Sequence, residues 1–180
     1  MIVRVKILFL LGLVAASAPD PGLTTDQQAR VGISEPSRES RNEIPEKRLV
    51  IRVIDGDTIV VSPNEKVRLI GVDTPETVHP NKVVQCFGKD AKEFTRTMVE
   101  RKSIHLVFDE SNRGRNHKDR YGRTLAYVYF DDGTMLNAEL IRRGYAHAYT
   151  RFPFRYILEF REMARQARRE SAGLWASCRP

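Results

Sequence analysis

From residue 49 onward the chain switches three times between a two-residue and a helical period. Residues 49–54 and 59–62 are runs rich in β-branched side chains, split by Asp55-Gly56-Asp57, and residues 66–72 follow the turn Pro63-Asn64. Such runs bounded by turn residues predict an antiparallel meander. The period then lengthens. Ala91, Phe94 and Met98 recur at helical spacing, with Gly88 at the entry. Residues 104–108 and 124–130 read as two further strands, and in the second Ala126 and Val128 alternate with Tyr127 and Tyr129. A polar segment rich in Gly, Asn, Arg and His lies between them and predicts an exposed loop. After the turn Asp132-Gly133, Leu136, Leu140 and Ile141 stripe a short helix that Gly144 should end. The last helix carries Ile157, Phe160, Ala164 and Ala167 on one face, with Gly173 expected to close it. The predicted class is α+β, mainly β: five strands and about three helices, compatible with an OB-type five-stranded barrel. The element count alone leaves other α+β arrangements open.

The first residues follow neither period. Arg4 and Lys6 precede an apolar run, residues 7–16, that is short for a membrane span and is followed by small residues. Residues 1–18 therefore read as a signal peptide, cleaved near Ala16 or Ala18. Ala16 is the better site, because Pro19 follows Ala18. Export to a secreted or extracytoplasmic location is expected, with an uncleaved membrane anchor as the alternative. Residues 19–47 are rich in Pro, Ser, Glu, Arg and Gln and lack sustained apolar periodicity, the composition of a disordered linker. The remaining residues, 48–180, suit a single domain.

Charge narrows the partners. The chain has 30 Lys+Arg against 23 Asp+Glu, a formal net charge of +7. That excess favours polyanions, whether nucleic acid or an anionic membrane surface.

Three short motifs carry the candidate chemistry. They are Ile54-Asp55-Gly56-Asp57-Thr58, Arg68-Leu69-Ile70-Gly71-Val72-Asp73-Thr74-Pro75-Glu76 and Asp119-Arg120-Tyr121-Gly122-Arg123. Singly, each is a turn or a cap. In this order they resemble the staphylococcal nuclease (thermonuclease) family, from about Leu49 to Trp175, including Leu125-Ala126-Tyr127 and Gly173-Leu174-Trp175. The resemblance implies an OB-fold enzyme that hydrolyses DNA and RNA to 3′-phosphate products, acting as a monomer with no stable protein partner.

Residue types agree with that chemistry. Asp57 and Asp73 are hard oxygen ligands suited to one Ca²⁺ ion, with the Thr74 carbonyl implied by the family pattern and waters and a phosphate completing the shell. No His or Cys cluster has zinc-ligand spacing. Glu76 matches the family's general base. Arg68 and Arg123 match its catalytic arginines, whose forked donors suit a phosphoryl group gathering negative charge. The resemblance also places Arg120 and Tyr121 against a terminal phosphate, Tyr149 near the base, and Lys82 on the substrate side. Arg120 stands where the pattern has lysine, and Arg151 approximately where it has a second tyrosine.

The cysteines come from a separate line of reasoning. Cys86 and Cys178 are an even count beside an export signal, which predicts a disulfide. Its reduction is expected to lower stability and spare the metal-site residues. Two rival functions remain: a non-catalytic nucleic-acid or protein-binding module, and a calcium-regulated envelope protein that binds anionic surfaces. The five residues Asp57, Arg68, Asp73, Glu76 and Arg123 favour the enzyme over both.

Overall fold

A computed structural model describes residues 46–77 and 83–178. The signal-peptide reading, the linker up to residue 45 and the candidate Lys82 lie outside the described residues.

Five strands close into a barrel in the order β1-β2-β3-β6-β5. Strand β1 (Glu46–Asp55) makes the closure possible by serving two neighbours in turn. Its first residues, Glu46 to Leu49, pair antiparallel with β5 (Ser103–Val107), and Val50 to Asp55 pair antiparallel with β2 (Thr58–Val61). The register between β1 and β2 shifts twice, and such irregularities bend a strand and raise its twist. Strand β3 (Glu65–Leu69) continues the predicted meander antiparallel to β2, then pairs in parallel with β6 (Thr124–Tyr129). The five-stranded mixed barrel with a few helices bears out the expected α+β, OB-type class.

The barrel interior is apolar. Val50, Ile59, Val61, Val67, Ile104, Ala126 and Val128 are fully buried. Helix α1 (Gly88–Val99) packs on β1, and its Val99 is fully buried in the core. Helix α2 (Leu136–Arg142) packs on β6 and on α3 (Ile157–Arg169), which contributes Phe160. Tyr127 departs from the expected alternation, being 1% exposed. Its outward face is covered too, by the edge of the Tyr156 ring and by Asp109, which accepts the Tyr127 hydroxyl at 2.5 Å.

The run 66–72 is not one strand. It breaks at Gly71, and Val72–Asp73 (β4) pairs instead with His147–Ala148 (β7). Gly71 has φ +73, and a Cβ there would meet the rings of Phe154 and Phe160 at 2.7–2.8 Å, so the site admits no side chain. Gly144 ends α2 as expected. Tyr145 N–H donates to Leu140 O and Gly144 N–H to Ile141 O, the paired bonds of a Schellman turn. Gly173 does not close α3. Ser171 takes the left-handed position, φ +52, with Ala172 N–H donating to Ala167 O, and Gly173 instead precedes the short helix α4 (Leu174–Ser177). The predicted bridge is present: Cys86 and Cys178 are disulfide-bonded, with their Cα atoms 5.9 Å apart.

Candidate active site

The β1–β2 turn presents Asp55 and Asp57 at the barrel mouth, on either side of Gly56. Helix α1 fixes this turn from beneath, since the buried Thr95 hydroxyl donates to Gly56 O at 2.6 Å. Asp57 is 7% exposed and engaged on several sides. The Thr58 hydroxyl donates to Oδ1 at 2.9 Å, Thr74 N–H donates to Oδ2 at 3.1 Å, and Arg68 Nη1 lies 2.5 Å from Oδ2. Arg68 projects from β3 and also reaches the carboxylate on β4, with Nη2 3.3 Å from Asp73 Oδ1. One guanidinium thus bridges the two carboxylates. The break at Gly71 brings this about, because it turns Asp73 back beside β3. Desolvation pushes the Asp73 carboxyl up from its ordinary value; Arg68 opposes this, and the charges of Asp57 and Glu76 add to it.

These donors fit one hard cation. Asp57 and Asp73 offer carboxylate oxygens, and the Thr74 hydroxyl lies buried beside them with no hydrogen-bond partner. Among the described residues, no three His, Cys, Asp or Glu side chains gather to form a metal cage of their own. The protein would therefore supply only part of the roughly six to eight oxygens calcium takes, leaving room for water and a phosphate.

Glu76 lies on an irregular segment after β4. Its N–H donates to Gln85 Oε1 at 2.8 Å, and its carbonyl accepts from Gln85 N–H at 3.0 Å. Its side chain hydrogen-bonds Asp55. Burial first, and that bond second, push Asp55 up to about 6. Asp55 also accepts the Thr77 hydroxyl at 2.7 Å, tying the segment to the β1–β2 turn.

Arg123 arrives by a third route. Asp119 accepts Tyr121 N–H and Arg123 N–H, each at 2.9 Å, and Arg123 Nε at 2.7 Å, so one carboxylate shapes the turn and aims the guanidinium. Arg120 donates to the Tyr121 hydroxyl at 2.6 Å and lies over its ring.

These residues converge. Asp57, Arg68, Asp73, Thr74, Glu76 and Arg123 line one cavity of about 450 Å³, which Tyr121 also borders. An adjoining cavity of about 370 Å³ shares Arg68, Asp73, Tyr121 and Arg123 with it, and is lined also by Arg120 and Tyr149. Tyr149 is held there by its N–H, which donates to Gly71 O at 2.9 Å. Arg151 takes the expected tyrosine's place, but Phe152 stands next to it, its ring 6.1 Å from that of Tyr149. Sequence reasoning assigned no role to Asp55, Gln85, Asp119 or Phe152. Asp55 and Asp119 sat inside motifs already singled out, while Gln85 and Phe152 carried no signal of their own.

A closed mixed barrel with a guanidinium–carboxylate cluster at its mouth, opening on an aromatic-lined groove, defines an OB-type protein equipped to engage phosphate esters. The chain belongs to the staphylococcal nuclease family. The family profile described as "Staphylococcal nuclease homologue" matches residues 66–177. The chain is 42% identical over 132 residues to the thermonuclease of Staphylococcus hyicus, covering 71% of this chain and 75% of that protein. It is 43% identical over 136 residues to the Staphylococcus intermedius thermonuclease, covering 72% and 76%. Endonuclease YncB of Bacillus subtilis (strain 168) is 41% identical over 130 residues, covering 69% of this chain and 59% of the relative.

Proposed function

We propose that this protein is an exported, Ca²⁺-dependent nuclease that hydrolyses DNA and RNA to 3′-phosphate products. At the coarser level, family membership and the thermonuclease and endonuclease relatives support a nuclease, a hydrolase of phosphodiester bonds. The observation that carries the finer reading is the single cavity in which Arg68, Arg123 and Glu76 face Asp57 and Asp73.

A phosphodiester in this cavity meets two guanidinium groups, whose paired donors match the charge that builds on its non-bridging oxygens. Glu76 orients the attacking water and accepts its proton, the role of a positioned general base. Asp119 keeps Arg123 aimed while the phosphorus is crowded. Asp57, Asp73 and the Thr74 carbonyl would hold one Ca²⁺, which when bound polarises a phosphoryl oxygen as a Lewis acid. Tyr121 and Arg120 suit a terminal phosphate, and the Tyr149 ring suits a base. Lys82 is assigned to the substrate side by the family likeness alone. Residues 1–18 serve export, residues 19–47 link, and residues 48–180 form a nuclease domain that acts as a monomer.

Protein lacking residues 1–18 should degrade single-stranded DNA and RNA when Ca²⁺ is supplied. Full activity in excess EGTA with Mg²⁺ present overturns the calcium assignment and leaves the nuclease standing. No hydrolysis under any divalent ion favours a binding module instead.

A further inference from the structure

Like Arg123, Glu76 is carried by no helix or strand. Its main chain is instead clasped twice by a residue nine positions on. Gln85 Oε1 accepts the Glu76 N–H at 2.8 Å, and Gln85 N–H donates to the Glu76 carbonyl at 3.0 Å. What fixes Gln85 follows it directly in the chain. Cys86 is bonded to Cys178 at the far end of the domain. Phe87 sits at φ +65 and packs its ring 5.4 Å from Tyr145. Gly88 opens α1, donates its N–H to Gln85 O at 3.0 Å, and lies against the Glu76 segment. A Cβ on Gly88 would come within 3.0 Å of Pro75 O and 3.2 Å of Glu76 O.

We propose that Gln85 is a positioning residue for Glu76, and that the Cys86–Cys178 bridge holds Gln85 in that position. The proposal rests on the nuclease reading and deepens it. The bridge then acts on turnover as well as on stability, which departs from the expectation that reduction spares the site. Its effect is mechanical: the bonded sulfur sits one residue from the clasp, and displacing a general base by about 1 Å can cost roughly 10²-fold in rate. Gln85 is suited to the task because a neutral amide accepts a hydrogen bond without adding charge beside Asp55, Asp57 and Asp73.

The test uses the oxidised wild-type domain, the single variants Gln85→Met and Gln85→Glu, and the double variant Cys86→Ser/Cys178→Ser. Kinetics are followed on single-stranded DNA with Ca²⁺, and amide exchange by NMR. Gln85→Met keeps the length and loses the acceptor. It should lower kcat about 10- to 100-fold with KM within about twofold, and speed exchange of the Glu76 amide by up to about tenfold, the loss of one net hydrogen bond. Gln85→Glu keeps the acceptor and should hold Glu76 exchange within a few-fold of wild type, while the charge it adds beside Asp55, Asp57 and Asp73 should lower kcat by less than Gln85→Met does. The double serine variant should speed exchange at both Glu76 and Gln85 and lower kcat in the same sense, by less than Gln85→Met. Unchanged Glu76 exchange in Gln85→Met overturns the clasp. Faster exchange with unchanged kcat, or a change confined to KM, overturns the positioning role. A wild-type protein inactive with every metal overturns the nuclease reading instead, and the exchange measurement still decides whether the clasp exists.

Discussion

Arg68 and Glu76 face the same cavity, yet they are held there by different means. Arg68 stands on a barrel strand, and the two carboxylates that grip it come from the adjoining turn and from β4. Beneath them the Thr95 hydroxyl locks the turn to α1. Glu76 lies on irregular chain and is kept in place by Gln85, by Asp55 both directly and through Thr77, and by a disulfide one residue beyond Gln85. The first region is rigid because strand pairing and packing hold its backbone. The second depends on a few polar contacts from distant segments, each with a modest net contribution. A site assembled this way can keep Arg68 and its two carboxylate partners fixed while Glu76 responds to single substitutions.

The largest expected effect probes both halves at once. Glu76→Gln should lower turnover by roughly 10²–10⁴-fold, the usual range for losing a positioned base. Arg68→Lys and Arg123→Lys should also be severe, since lysine keeps the charge and loses the fork. Near-normal turnover in all three variants, shown by circular dichroism to be folded, would remove these catalytic assignments.

A smaller effect is expected at a third polar centre, on the barrel's outer side. Asp109 is 4% exposed and accepts bonds from Ser111 N–H, the Ser111 and Tyr127 hydroxyls and Arg155 N–H. Burial pushes its carboxyl up, but these donors outweigh burial and hold it below its ordinary value. A depressed folded pKa means that this stabilisation is complete above the unfolded value, about 3.9. It is lost as pH falls through the folded value. Asp109→Asn should cost about 1.5–3 kcal/mol in urea unfolding at pH 7, the scale of hydrogen bonds to a charged group. The gap between variant and wild type should narrow below pH 4. A gap that stays constant down to pH 2 would show that the charge contributes nothing.

The smallest effect sharpens the contrast between strand-held and loop-held groups. Thr95→Val removes one buried hydroxyl and leaves Gly56 O without that donor, at a cost of about 1–3 kcal/mol. Because strand pairing still holds Arg68, and Leu69 N–H still donates to Asp57 O, kcat should fall by less than in Gln85→Met. A larger fall in Thr95→Val would reverse the ranking of the two regions.

Legibility in the sequence followed the range of the interactions. The five barrel strands and the three longer helices announced themselves through local periodicity, whereas the two-residue strands β4 and β7 and the short α4 did not, and Gly144 marked a helix end through its own backbone freedom. Gly173 misled because Ser171 adopts the left-handed turn, a choice that a lone glycine nearby does not reveal. Asp57, Arg68, Asp73, Glu76 and Arg123 were singled out because three motifs occur together in one order. Gln85 escaped notice because its partner is a main-chain amide, which has no letter in a sequence. Phe152 escaped because its value lies in standing beside Tyr149, a relation that the chain's turn creates.

The amino-acid sequence alone determined the five strands, the helical stripes, the ligand and donor types at the mouth, and the pair of cysteines available for bonding. All of these depend on side-chain chemistry and short-range spacing. Tertiary structure alone decided that β1 divides its length between β5 and β2, that β3 pairs in parallel with β6, and that Gly71 breaks a run so Asp73 can turn toward Arg68. Such features depend on which distant backbone hydrogen bonds and which packed rings can be satisfied together. Phe154 and Phe160 leave space at residue 71 for nothing larger than glycine, and only the assembled barrel puts them there.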